Sequence, residues 1–321
     1  MSRSLLTQGS RHLPPWLILD VRKNKMNLAT FTSPILLQGD ASTAYRDPVV
    51  YFHHDCFYLY FTLVETESDG RVFLYLAMTT SPDLRNFSPI CKLSPRDQSL
   101  NFSSPGNIIE YGGEFRICCQ TYCRENGEKY GNENSRIWQM RSDDLIHWSE
   151  PELLMVKGDI PVKEMGRMID PYLIRGKDKP EIIYCFYKQN GVSISCSTDM
   201  EHWQYIGSAD CGENVCVLVE NGEYRLWHSP QNGIALMTSR DLFHWQHSGT
   251  LITLGQKSWE WAKGRLTAGF VIDLRENPKI GKALLFYHGT GPENEDFIFD
   301  QYACIGFAWS DDLENWNYPE N

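Results

Sequence analysis

The sequence predicts an all-β protein built as a five-bladed β-propeller. Three observations support this prediction: a short turn motif that occurs five times at intervals of 42 to 71 residues, strand-like segments between its copies, and little helical periodicity. The propeller is predicted to span residues 41–321. Residues 1–40 precede the first repeat and are expected to supply a strand or cover that closes the ring, because a propeller must protect its open edges.

The repeated turn reads Ser-x-Asp, then Leu or Met, two further residues, and Trp or Phe. The Ser and Asp side chains are expected to cap the turn by hydrogen bonding to its backbone amides, while the apolar residues pack beneath the sheet. Each copy follows a short apolar strand, so each is predicted to connect two strands. The five copies occupy residues 81–87, 142–148, 197–203, 239–245 and 310–316.

The segments between the turns are rich in aromatic and aliphatic residues, which favour β-strands. Four strands of five or six residues, together with their turns, need roughly 40 to 60 residues, and the repeats have about this length. Five such sheets form a propeller rather than an open sandwich, which would not explain five equivalent turns. The clearest strand-like segments are 56–61, 114–118, 182–187, 223–227 and 283–287.

Charge and composition narrow the classes of partner. The chain has a net charge of −11 and no block of Lys or Arg, which argues against binding nucleic acid or an anionic membrane surface. No apolar run approaches the length of a membrane span, and Arg3, Arg11 and Pro14-Pro15 interrupt any signal-peptide pattern. A cytoplasmic protein with a neutral ligand is therefore expected.

Three of the five predicted inner strands begin with a carboxylate. Inner strands of a propeller run in the same direction along the central axis, so their first residues meet at one mouth of the channel. Three acids held together repel one another, and such groups are kept where function needs perturbed pKa values. The predicted strand openings are Asp47, Pro105-Gly106-Asn107, Asp170, Glu213 and Arg265.

Two carboxyl groups across a small cavity can hydrolyse a glycoside, since one protonates the leaving oxygen and the other activates water. In an ideal fivefold ring, blades two steps apart place such groups about 7.6 to 9.5 Å apart, within the roughly 6.5 to 9.5 Å range of inverting enzymes. Blades one and four have this relation. The hypothesis assigns Asp47 as general base and Glu213 as general acid. Asp170 is expected to orient the reacting groups and to raise the pKa of its neighbour Glu213.

The second strand of each blade runs back toward the same mouth. Its end is therefore expected to carry substrate-binding groups, and the candidates are Lys188, His228 and His288, with Tyr122 beside them. The alternative for each histidine is a purely structural hydrogen bond in a turn.

Two further candidates come from the openings of the inner strands. Asn107 in blade two and Arg265 in blade five are expected to bind sugar hydroxyls, and Arg265 could instead hold a carboxylate in its ionised form. The Trp259-Glu260-Trp261 segment before blade five is a candidate for stacking on a sugar ring, with ordinary loop packing as the alternative.

These motifs together resemble glycoside hydrolase family 43: Asp47-Pro48 opens blade one, Ile169-Asp170-Pro171 opens blade three, and Glu213 opens blade four. The resemblance covers roughly residues 40–321. It implies an inverting hydrolase of α-L-arabinofuranosides, β-xylosides or related plant-polysaccharide fragments, with base, modulator and acid at Asp47, Asp170 and Glu213. Where the family commonly has an axial histidine near a cation, this chain has Arg265-Leu266-Thr267, so neither metal nor cofactor is expected.

Two alternatives stay open. Mannoside phosphorylases use a five-bladed ring with a cationic phosphate pocket, which Arg167, Lys188 and Arg265 could form. A non-catalytic sugar-binding propeller would use the ring only as a scaffold, since a fold does not fix a function. The acid triplet favours catalysis, because a binding module has no need for three carboxylates around one channel.

Overall fold

The computed structural model describes residues 25–319 and shows five antiparallel sheets arranged as the blades of a propeller. The predicted fold class is confirmed. Helical structure within the described residues is confined to three single 3-10 turns, at Leu28–Thr30, Val162–Glu164 and Glu260–Ala262. None of the helices in that range has the length and apolar character needed to cross a membrane.

The strands follow one another blade by blade. β1 (Ile35–Leu37) precedes the first blade. Blade one contains β2 (Thr43–His53), β3 (Cys56–Thr66), β4 (Val72–Ser81) and β5 (Cys91–Lys92). Blade two contains β6 (Phe102–Ser103), β7 (Ile108–Tyr111), β8 (Glu114–Thr121), β9 (Ile137–Ser142) and β10 (Glu152–Leu153). Blade three contains β11 (Ile169–Arg175), β12 (Ile183–Lys188), β13 (Val192–Ser197) and β14 (Gln204–Ala209). Blade four contains β15 (Glu213–Glu220), β16 (Glu223–Ser229), β17 (Ile234–Ser239) and β18 (Gln246–Ile252). Blade five contains β19 (Arg265–Leu274), β20 (Lys282–Thr290), β21 (Cys304–Ser310) and β22 (Trp316–Asn317).

The ring is closed by the start of the chain. β1 pairs antiparallel with β21, with Ile35 opposite Gly306, so the last blade takes one strand from the segment that precedes the first blade. Residues 1–24, the first part of the segment predicted to close or cover the ring, lie outside the described residues.

The five repeated turns connect the last two strands listed for each blade, and their predicted caps are confirmed. In the first copy, Asp83 Oδ1 accepts hydrogen bonds from the amides of Arg85 and Asn86 at 2.9 and 2.8 Å, and Ser81 donates to the same carboxylate at 3.2 Å. The apolar residue after each Asp is buried and has a left-handed backbone, with φ between 58° and 70°. The five residues with this conformation are Leu84, Leu145, Met200, Leu242 and Leu313.

Each inner strand contains one residue with left-handed backbone near the channel mouth. In four blades the register with the second strand shifts at this residue, and in blade two the inner strand is interrupted there, between β6 and β7. This residue identifies equivalent positions around the ring and corrects the alignment of the strand openings. Blade two is represented by Ser104 rather than Asn107, and Glu213 lies one residue before the equivalent position in blade four. The five residues, with φ between 42° and 53°, are Asp47, Ser104, Asp170, Asn214 and Ala268.

Candidate active site

A narrow cavity of about 30 Å³ marks the propeller axis. All five blades contribute to its wall through the left-handed residue of the inner strand and the residues that follow it. Its volume is comparable to that of a single water molecule. The lining residues are Asp47, Pro48, Val49, Ser104, Pro105, Gly106, Asp170, Pro171, Asn214, Val215, Ala268, Gly269 and Phe270.

A much larger pocket, of about 470 Å³, shares Asp47, Asp170 and Asn214 with the axial cavity and therefore lies at the mouth of the channel. Glu213 also lines this pocket. The structure thus brings the three carboxylates singled out from the sequence into one site, although 166 residues separate the first from the last.

Asp47 is held by neutral groups. Its Oδ2 accepts a hydrogen bond from the Thr62 hydroxyl at 2.9 Å, and its backbone N–H donates to His288 Nδ1 at 3.1 Å. The Thr62 oxygen in turn accepts the backbone N–H of Ser104 at 2.7 Å. This chain of donors directs the Thr62 proton toward Asp47 and fixes the orientation of the carboxylate.

Asp170 is buried and also has neutral partners. Its Oδ1 accepts from the Ser104 hydroxyl at 3.1 Å, and its backbone N–H donates to Gln120 Oε1 at 2.6 Å. Burial, followed by the negative charges of Glu213 and Asp47, raises the pKa of Asp170 to about 7. Near neutral pH this carboxyl therefore holds a proton for a large fraction of the time.

Glu213 has cationic partners. Lys188 Nζ donates to its Oε2, and Arg265 Nη2 donates to its Oε1 at 2.8 Å. Burial acts to raise the pKa of Glu213, but Lys188 and Arg265 outweigh it, so the pKa is lowered. This corrects the sequence-based expectation that Asp170 would raise the pKa of Glu213: the shift falls on Asp170, because the cations surround Glu213.

Glu295 is a buried acid of the pocket that the sequence did not single out. Its Oε1 accepts from Arg46 and its Oε2 from Arg265, both at 2.7 Å. Burial would raise the pKa of Glu295, but Arg46 and His288 hold it far below its ordinary value. Glu295 lies in the loop between β20 and β21, where no strand period indicates which side chains point inward.

The candidates on the second strands divide according to register. On each second strand, one residue pairs with the inner-strand residue that comes just before the left-handed residue. In blades one to three this residue is Thr62, Gln120 or Lys188, and all three line the pocket. Tyr122, two residues beyond Gln120, has the same orientation and lines it too. Thr62 and Gln120 did not stand out in the sequence, and the strand register shows that they are equivalent to Lys188.

His228 and Asn107 lie outside the pocket, which corrects two predictions. In blade four the register position is Ser229, and one residue of offset turns His228 to the other face of the strand. His228 Nδ1 accepts the N–H of Gly212 at 3.0 Å, and burial lowers the pKa of His228 to about 4. The Asn107 amide bonds both backbone groups of Leu173, joining blade two to blade three.

His288 occupies the register position in blade five, but it is 1% exposed and sits behind Asp47 instead of lining the pocket. Burial lowers the pKa of His288. Because Nδ1 accepts the Asp47 N–H, a neutral ring carries its proton on Nε2, which lies 3.5 Å from Glu295 Oε1. His288 is therefore a positioning residue for Asp47, in place of the expected contact with substrate.

The two tryptophans before blade five pack within the protein. The Trp259 and Trp261 rings stack on each other at 5.2 Å and lie close to Tyr287, and Trp259 is almost fully buried. The loop-packing alternative holds for this segment, so it provides no platform for a sugar.

Two loops meet at the blade-one side of the pocket. The loop 122–136 of blade two and the loop 291–303 of blade five flank blade one and are joined by a two-pronged ion pair, in which Arg124 Nη1 and Nη2 donate to Asp300 at 2.7 and 2.9 Å. Tyr130 adds a hydrogen bond to Asp296 at 2.7 Å and an edge contact with Phe299. We call these contacting loops the bridge; they close one side of the pocket entrance.

No group of three or more His, Cys, Asp and Glu side chains within residues 25–319 has an arrangement that could hold a metal ion. The polar groups in the pocket are instead carboxyls, hydroxyls, amides and cations of the chain itself. Such a set can bind hydroxylated ligands and transfer protons.

The fold and pocket define this chain as a five-bladed β-propeller with a carboxylate-lined axial site. No family model matches the sequence, and no curated protein sequence matches it. Solved structures do match. A thermostable family-43 glycoside hydrolase has a TM-score of 0.60 and 16% identity, over 91% of this chain and 96% of that one.

An exo-1,5-alpha-L-arabinanase from a bovine ruminal metagenomic library has a TM-score of 0.58 and 14% identity, over 88% of this chain and 99% of that one. A family-43 beta-xylosidase/alpha-arabinofuranosidase from a compost microbial metagenome has a TM-score of 0.58 and 12% identity, over 90% and 97%. At these identities the similarity shows a shared fold, consistent with the family-43 resemblance of the sequence.

Proposed function

We propose that this chain is an inverting glycoside hydrolase that removes sugars from the ends of α-L-arabinofuranosides, β-xylosides or related plant oligosaccharides. The observation that carries the proposal is the placement of Asp47 and Glu213, from blades one and four, in one pocket on the propeller axis. The names of the similar structures, an arabinanase and a xylosidase/arabinofuranosidase, support the class of substrate.

In this proposal Asp47 is the general base. Among the described residues no lysine or arginine forms an ion pair with it, and Thr62 orients its carboxylate. A water molecule attacks the anomeric carbon and transfers a proton to Asp47 as the bond to the leaving oxygen breaks. Inverting enzymes hold base and acid roughly 6.5 to 9.5 Å apart, because the water must fit between the base and the sugar.

Glu213 is the general acid and gives its proton to the leaving oxygen. It is ionised in the ligand-free pocket because Lys188 and Arg265 lower its pKa. The side chain of Lys188 is 39% exposed and flexible enough to be displaced by a bound sugar. Removal of that cation raises the pKa of Glu213 again, so substrate binding itself favours the protonated acid.

Asp170 lies between these two groups in blade order and is the modulator. Its buried, largely neutral carboxyl adds little negative charge near Glu213, and its proton can be donated to a sugar hydroxyl or exchanged with Glu213. The Ser104 hydroxyl and the Gln120 amide hold it in place.

The bridge supports action at chain ends. Arg124 and Asp300 close the entrance over blade one, so a polymer cannot run straight across the pocket. From a linear arabino- or xylo-oligosaccharide, the protein is expected to release monosaccharide from the first turnovers, measured by chromatography of the products. The Arg124→Ala variant should release longer fragments as well. A mixture of internal fragments from the parent protein would contradict this part of the proposal.

The roles of the acids can be separated with substrates whose leaving groups differ in pKa. Glu213→Gln is expected to lose about 10²- to 10⁴-fold in kcat on alkyl glycosides, and much less on activated nitrophenyl glycosides, whose phenolate leaves without protonation. Asp170→Asn should lose activity to a similar extent on both. The opposite pattern would assign the acid role to Asp170.

An NMR time course of the first-formed anomer tests inversion, and a retained configuration would overturn the role of Asp47. The same assays decide between the alternatives. Turnover that requires inorganic phosphate would indicate a phosphorylase, although Lys188 and Arg265 are both paired with Glu213. Sugar binding without turnover of any glycoside would indicate a binding propeller.

A further inference from the structure

Arg167 lines the pocket three residues before Asp170, yet it has no carboxylate partner among residues 25–319. It comes from the loop that connects blades two and three. The other cations that line the pocket are all used in ion pairs with acids: Arg46 with Glu295, Lys188 with Glu213, and Arg265 with both.

The guanidinium of Arg167 is held in a defined orientation. Its Nε donates to the carbonyl oxygen of Gly131 at 2.7 Å, and its central carbon lies 5.6 Å from the centre of the Tyr122 ring. Glu133 accepts a hydrogen bond from the backbone N–H of Arg167 rather than from its guanidinium. The two terminal nitrogens form no hydrogen bond with any described residue, so two adjacent donors are left for a ligand.

We propose that Arg167 binds the carboxylate of an acidic sugar, so that the pocket favours those plant oligosaccharides that carry a uronic acid residue. The proposal rests on the proposed function in taking the ligand of this pocket to be a sugar. A planar guanidinium with two free terminal nitrogens can form a bidentate pair of hydrogen bonds with a carboxylate. An oligosaccharide that carries a carboxylate beside its neutral sugars would compensate the charge of this partly buried arginine, which hydroxyl groups alone do not.

The remaining charges of the pocket permit an anionic ligand. At the entrance Asp300 is paired with Arg124 and Asp296 with Lys129, so neither presents an uncompensated negative charge to an incoming carboxylate. Asp47 and Asp170, which have neutral hydrogen-bond donors, also line the axial cavity, whereas Arg167 does not. Among the described residues that line the pocket, Arg167 is thus the cation free to attract the ligand.

Titration calorimetry with pairs of free monosaccharides tests this directly. Galacturonate and galactose, or glucuronate and glucose, differ only in a carboxylate in place of a hydroxymethyl group. The parent protein is expected to bind the uronate about 10- to 100-fold more tightly than its neutral partner, as for a charge-assisted hydrogen-bonded pair. Arg167→Gln should abolish this preference.

Arg175→Gln is the matched control. Arg175 likewise donates to backbone oxygens, those of Pro180 and Glu110, and lies 5.7 Å from a tyrosine ring, that of Tyr111, but it is outside the pocket. This variant should keep the preference for the uronate. Loss of preference in both variants would assign it to general destabilisation and overturn the proposal.

Equal affinity for acidic and neutral sugars, or no detectable binding of either uronate, would also overturn it. Inorganic phosphate is titrated in parallel, and Arg167-dependent binding of phosphate without binding of uronate would replace the proposed ligand with free phosphate. These titrations need no turnover. A protein that prefers uronates but hydrolyses no glycoside would contradict the proposed function while supporting the acidic-sugar site.

Discussion

The two sides of the pocket hold their acids in opposite ways. On the side of blades one and three, Asp47 and Asp170 accept hydrogen bonds from the hydroxyls of Thr62 and Ser104. On the side of blades four and five, Glu213 and Glu295 are enclosed by guanidinium and ammonium groups. The pKa of Asp170 is raised to about 7, whereas the pKa values of Glu213 and Glu295 are lowered.

This difference shows that burial alone does not decide the protonation of an acid. Desolvation raises the pKa in all three cases, and the nature of the partner decides the sign of the net shift. One pocket can therefore hold a protonated and an ionised carboxyl at the same pH. Such a division is what acid–base chemistry on a glycosidic bond requires.

The largest effect is expected from Asp47→Asn, which should lower kcat by about 10²- to 10⁴-fold, because an amide cannot accept the proton of the attacking water. Initial rates on aryl arabinofuranosides and xylosides measure this. Asp178→Asn is the control, since Asp178 is an exposed acid paired with Lys177 outside the pocket. A loss in kcat of less than tenfold for Asp47→Asn would contradict the role of Asp47 as general base.

Glu295→Gln tests whether the cationic side is a structural network. The change removes the counter-charge shared by the buried Arg46 and the half-buried Arg265, which should lower the free energy of unfolding by about 3 to 5 kcal/mol. Urea denaturation is the measurement. In the control Glu65→Gln, which breaks the exposed pair with Lys92, the loss should be about 1 kcal/mol or less. Similar losses in both variants would disprove the distinction.

Asp170→Asn tests the neutral side through the pH dependence of stability. The folded protein holds the Asp170 proton up to about pH 7, while the unfolded chain releases it near pH 4. Between these values the folded state binds more protons, so this group lowers stability as pH rises. The difference in unfolding free energy between the variant and the parent should therefore increase from pH 4 to pH 7, by on the order of a few kcal/mol. A constant difference would show that the pKa of Asp170 is not raised.

The smallest expected effect is a displaced pH profile in Lys188→Met. Loss of this ammonium removes a group that lowers the pKa of Glu213, so the alkaline limb of kcat/KM, which reports the free-enzyme acid, should move to higher pH. Lys177→Met, whose lysine pairs with Asp178 away from the pocket, should leave the limb in place. A limb that stays fixed in Lys188→Met would argue against Glu213 as the acid.

Local patterns were sufficient to predict the blades and three acids of the pocket, although not Glu295. The Ser-x-Asp turns are short-range hydrogen-bonded units, so the sequence motif alone indicates them without knowledge of the fold. Asp47 and Asp170 follow from the Asp-Pro pairs at the inner strands. His228 was misplaced because an error of one residue in strand register reverses the face of the sheet, and register depends on the bulges near the channel mouth.

The sequence by itself determined a ring of five equivalent sheets and the presence of three acids at its axis, because strand period and turn chemistry act over a few residues. The tertiary structure decided which acids form ion pairs with lysine or arginine. Arg46 and Glu295 are 249 residues apart in the chain, and Lys188 reaches Glu213 from the neighbouring blade. Ion pairing and desolvation depend on distances of a few ångströms in space, and only the closed ring sets those distances.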